Sequence, residues 1–227
     1  MRTSTPRPIP LALTALIALF SALAALAVAN GRDAHAHGAQ TTVAANVTQQ
    51  ELALRNGMRV LWEDHVTWTR LAVISLVAGS PDTDATVARL LRNQTDIGSA
   101  LVPFYGKRAG AALTQELRRH ILIAADLIAA AKAGDAAGLA AQRTLWRRNA
   151  DDIATLLGKL NPRHWKPAAL KAMLGEHLRL TTAEVVARLQ GNWTADVAAY
   201  DRIHHHALQM ADALSTGLIR QFPGRFR

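Results

Sequence analysis

The 227-residue chain has no cysteine. That absence excludes disulfides, thiolate zinc sites, iron–sulfur clusters, thioether-linked haem and an N-terminal lipid-modified cysteine. Aromatic residues are scarce at 5%, too few for an aromatic-lined cofactor slot to be the first expectation. No stretch alternates polar and apolar as a strand does, and no glycine-rich phosphate loop, Gly-x-Ser-x-Gly elbow or dinucleotide fingerprint is present. Nothing in the motifs points to nucleic acid. What is abundant is alanine, leucine and arginine. Half the chain is apolar, which is too much for a disordered polypeptide, and 26 Lys+Arg face 17 Asp+Glu.

The first 29 residues read as a targeting segment and not as part of the fold. Arg2 and Arg7 precede an almost unbroken apolar run, Leu11 to Ala29, that ends in Ala27-Val28-Ala29, a small-x-small cleavage pattern. Cleavage is favoured over an uncleaved membrane anchor because small residues crowd the end of the run. Either outcome places the folded part outside the cytoplasm, secreted, periplasmic or envelope-bound. Removal of residues 1–29 takes away Arg2 and Arg7 and leaves a charge of +7. A positive surface of that size suits anionic envelope polymer or lipid. Residues 30–47 are polar, small and histidine-containing, and read as a flexible leader.

From residue 48 to 227 the periodicity is helical throughout, which predicts an all-α fold. Thr48-x-x-Glu51 forms a capping box that starts a helix running to about Ala78. Gly79-Ser80-Pro81-Asp82 is a turn. A second helix covers Thr83 to Leu101, Pro103 and Gly106 interrupt, and a third covers Lys107 to Ala133. A fourth begins near Asp135 and stops before Asn161-Pro162, where proline cannot continue the ladder. Pro167 opens a fifth as a first-turn residue. Thr181-x-x-Glu184, a second capping box, is a possible break inside it. Gly191-Asn192 closes that helix, and a sixth runs from Thr194 to Phe222. The expected architecture is an antiparallel bundle of about six helices with short loops, in one domain.

Heptad-like spacing places several polar side chains on the buried stripes. His65 follows Leu54, Met58 and Leu61. His120 follows Leu113 and Leu117. Asn149 follows Gln142 and Trp146. Asp201 and His204 follow Val197. Each lies near mid-helix, so His65, His120, Asn149, Asp201 and His204 are expected to meet in one polar layer, joined by His177 if the fifth helix is continuous. Asp201-x-x-His204 sets a carboxylate and an imidazole one turn apart, and Glu116 with His120 forms an (i, i+4) pair. Imidazole and carboxylate are ligands for zinc, copper, iron or manganese, so a transition-metal site is the sharper expectation. Non-covalent haem between two histidines is a further option. The plainer expectation is a structural polar layer in a non-catalytic or adaptor bundle, whose arginine-rich faces contact anionic envelope polymer or lipid.

Several stretches resemble a family of exported, all-helical bacterial proteins. They are Leu61-Trp62-Glu63-Asp64-His65-Val66-Thr67-Trp68-Thr69-Arg70, Asn93-Gln94-Thr95-Asp96-Ile97-Gly98, Tyr105-Gly106, His120-Ile121, Ala199-Tyr200-Asp201-Arg202-Ile203-His204, Met210-Ala211-Asp212 and Gln221-Phe222-Pro223. The resemblance implies an exported helical protein and transfers no catalytic residue. The labels glycosyltransferase and acetylglutamate kinase, attached to proteins of this kind, belong to nucleotide-binding α/β folds that this sequence does not support.

Overall fold

A computed structural model describes residues 47–227, and within them every regular element is helical. The expected targeting segment and all of the leader but Val47 lie outside the described residues. Five α-helices follow in order: α1 (Gln49–Ala78), α2 (Thr83–Ala133), α3 (Ala136–Leu160), α4 (Pro167–Leu189) and α5 (Trp193–Gln221), with a short 3₁₀ turn at Pro223–Arg225. Among the described residues no helix is long and apolar enough to cross a membrane.

The local chemistry sets the ends. The Thr48 hydroxyl accepts from the Glu51 amide while the Glu51 carboxylate accepts from the Thr48 amide, so the capping box is made as spaced. Asp135 and Asn192 cap α3 and α5, accepting from Gly138 and Ala195 amides. Pro167 is the first residue of α4, where a missing N–H costs nothing.

Two boundaries differ from the spacing argument. The expected second and third helices are the two limbs of α2, interrupted at a single residue, Gly106, with φ 82° and ψ 168°. Only glycine reaches that backbone region readily. The limbs turn back on each other there. A Cβ on Gly98 would lie 2.6 Å from the carbonyl oxygen of Gly110, although twelve residues of straight helix would span about 18 Å. The missing side chains at Gly98 and Gly110 are what let the limbs touch. The possible break at Thr181 does not occur. Its hydroxyl donates to the His177 carbonyl one turn back, and Glu184 is drawn away to Arg70, so α4 runs through.

Neighbours in sequence pack together, and α5 packs on α1 to complete the bundle. The main apolar core joins Met58 and Trp62 of α1, Leu113 and Leu127 of α2, Trp146 and Ile153 of α3, Leu174 of α4, and Met210 and Leu218 of α5. Near one end of α4, the half-buried Arg70 and Arg188 meet the buried carboxylates of Asp196 and Glu184 in a four-charge cluster. Arg70 spans both carboxylates at 2.8 Å (Glu184) and 2.5 Å (Asp196), and Arg188 reaches Asp196 at 3.0 Å.

Candidate functional site

Three imidazoles meet inside the bundle. His65 of α1, His120 of α2 and His177 of α4 are all at least 95% buried. The His177 ring stands between the other two, with centroids 5.9 Å from His65 and 5.7 Å from His120. Indoles extend the row: Trp62 lies 5.4 Å from His65, and Trp146 lies 5.2 Å from His120. The continuity of α4 is what delivers His177 to the middle.

Amides hold the outer imidazoles. The Gln94 amide nitrogen stands 3.2 Å from His65 Nδ1 and donates to the Leu90 carbonyl and to Asn93 Oδ1. Asn93 in turn donates to the Leu61 carbonyl, tying α2 to α1. On the other side, the Asn149 amide nitrogen donates to both the carbonyl and the carboxylate of Glu116, at 3.1 and 2.9 Å. That fixes Asn149 Oδ1 toward His120 Nδ1, 2.8 Å away. An oxygen can only accept, so His120 Nδ1 carries the proton and its Nε2 carries the lone pair. His177 Nδ1 and Gln94 Oε1 are buried and make no hydrogen bond.

Burial keeps all three rings neutral at pH 7. It pushes His65 down to about 4, helped by the nearby His120 and opposed by the amides of Asn93 and Gln94. It pushes His120 down to about 4, opposed by Asn149. His177 falls well below the ordinary range through burial first, then through His120, His65 and His206. Of the three, His120 has the arrangement typical of a histidine ligand, a neutral ring whose Nδ1–H is held by an acceptor and whose Nε2 lone pair is free, whereas His65 Nδ1 faces an amide nitrogen and His177 Nδ1 has no partner. Two imidazoles that share one ion place their centroids about 5 Å apart in tetrahedral and about 6.5 Å apart in linear geometry, given metal–nitrogen bonds of about 2.1 Å. Both observed spacings lie in that interval. Among the described residues, no three His, Cys, Asp or Glu are already gathered as a ligand set.

Of the residues expected in the polar layer, His65, His120, His177 and Asn149 are there, and Glu116 borders it through Asn149. Asp201 and His204 are not. Asp201 is exposed, and His204 pairs with Glu63 at 2.7 Å, partly in solvent. The reason is the register of α5. Its buried stripe is Ala199, Ile203, Ala207, Met210 and Leu214, which turns Asp201 and His204 outward. His205 is exposed, and His206 donates to the Met173 carbonyl, so the His204–His206 tract forms no common site. Sequence reasoning missed Asn93 and Gln94, both fully buried, and the Arg70 cluster. The spacing of Leu90, Asn93, Gln94, Ile97 and Leu101 carried the signal for the first two.

Comparison with protein families, with characterised proteins and with solved structures finds no match to this chain.

Proposed function

We propose that the protein is an exported helical bundle, its helices alternating in direction, whose buried imidazole row holds a transition-metal ion through His177 and a neighbouring histidine. The supporting observation is His177 itself. Its Nδ1 has no partner, its ring is neutral, and imidazoles flank it on both sides at spacings compatible with a shared ion. An all-imidazole set favours zinc or copper over manganese, which prefers oxygen ligands. Glu116 is engaged by Asn149 and acts on the ring of His120 only through that amide. Export rests on the apolar run and small-residue cleavage pattern of residues 11–29.

The test is elemental analysis of full-length protein prepared without a histidine tag, together with melting curves with and without chelator. The expected result is about one ion per chain, a Tm lowered by chelator, and loss of the ion in His177→Gln with the helical signal retained. Asp201→Asn, on the outer face, keeps the ion. No stoichiometric metal, and no rise in Tm on adding zinc or copper, overturns the reading. It leaves the alternative that the Asn149–Glu116–His120 bonds favour: a structural layer that locks helix positions in a non-catalytic bundle.

A further inference from the structure

A second feature lies on the far side of Trp146. A groove of about 490 Å³ runs between α3 and α4 and reaches the start of α5. That volume is within the range of small-molecule sites. Its floor is apolar, formed by Trp146, Ala150, Leu178 and Val186, and its rim carries Arg143, Arg147, Lys171, Arg179 and Arg202 against one carboxylate, Asp151. Lys171 lies 3.5 Å from Asp151, and Glu176 clamps Arg179 with two bonds, at 2.7 and 2.6 Å. Arg147 and Arg202 make no ion pair or hydrogen bond among the described residues. At the floor, Trp146 is 95% buried, and its indole N–H has no acceptor.

We infer that this groove binds a small amphiphilic anion, an apolar body of roughly a dozen carbons bearing one carboxylate or similar head. The floor needs an apolar body, since water gains nothing from Ala150, Leu178 and Val186. The rim needs a negative head, since two guanidinium groups stand there without counter-ions. Charge rules against two other occupants. Residues 1–46 carry three arginines and one aspartate, and a second copy of the chain brings a net +9. Neither complements a cationic rim.

The experiment titrates the full chain with dodecanoate below its micelle concentration, followed by calorimetry and tryptophan fluorescence. Dodecyltrimethylammonium and dodecanol serve as matched cationic and neutral probes. The expected result is one dodecanoate per chain, with affinity at least tenfold above both controls. The double variant Arg147→Glu/Arg202→Glu, altered only at exposed positions, loses at least tenfold in affinity with its helical signal unchanged. Equal binding of the cation, unsaturable uptake, no binding, or an unaffected double variant overturns the inference. Binding to phosphatidylglycerol vesicles without binding of monomeric dodecanoate also overturns it, in favour of a membrane surface.

Discussion

Acid should unfold this protein through its histidines. Above pH about 6.5 the imidazoles are neutral in both states and contribute no pH dependence. As pH falls below that, the unfolded chain takes up protons that the native His65 and His120 refuse until about pH 4. Stability is therefore lost between those limits. Each displacement from 6.5 to about 4 amounts to about 3 kcal/mol when complete. The two rings together give a slope of about 2 kcal/mol per pH unit near pH 5.5 and a loss of about 4 kcal/mol between pH 7 and 5. His177 adds in the same sense. Glu184, whose burial raises its carboxyl, opposes it, while Glu176, Asp196 and Asp212, held low, act in the same sense at lower pH. Against a total of about 5–15 kcal/mol, this is a large fraction. Urea unfolding followed by circular dichroism at pH 7, 6 and 5, with chelator present, measures it. A free energy of unfolding that stays level or rises as pH falls from 7 to 5 refutes the reasoning.

Other expected outcomes follow from single contacts. Gly98→Val should cost several kcal/mol, because its Cβ meets the Gly110 carbonyl and the Thr114 hydroxyl; thermal melting of the purified variant reads it. Arg70→Gln leaves buried Glu184 without its arginine and Asp196 with Arg188 alone, and should cost about 3 kcal/mol in chemical denaturation, whereas Arg59→Gln, from an exposed pair with Asp212, should leave the denaturation midpoint nearly unchanged. Gly217→Ala should also destabilise, since the added methyl falls on the Trp165 indole; a shift in tryptophan emission would accompany it. The proposed export predicts that intact-mass measurement of protein recovered outside the cytoplasm shows a start at residue 30, and full-length chain there would count against it.

The sequence made the helix ends legible because caps are local chemistry: Thr48 with Glu51, Asp135, Pro167 and Asn192 each act within one turn. It made His65, His120 and Asn149 legible because the apolar residues that share their three-and-four spacing, Met58, Leu113, Leu117, Trp146 and Ile153, are themselves buried. In α5 it did not. There Val197, Leu208 and Leu218 share a four-and-three spacing with Asp201 and His204, but Val197 is exposed, and the stripe that packs on α1 and α4 is Ala199, Ile203, Ala207 and Met210. The placement of His177 depended on whether Thr181 and Glu184 would cap a new helix, and a partner more than a hundred residues away, Arg70, decided that. Fully buried Asn93 and Gln94 illustrate the same limit: a polar residue on an apolar stripe shows its burial in the spacing, but not its bonding partner.

The seating of α5 on α1 has a kinetic consequence. Contacts between successive helices close short loops and cost little chain entropy, whereas this one joins segments at opposite ends of the described chain. Folding should proceed outward from local hairpins, the one at Gly106 among the first. Docking of the carboxy-terminal helix comes last, so the protein becomes protease-resistant only once that helix has seated.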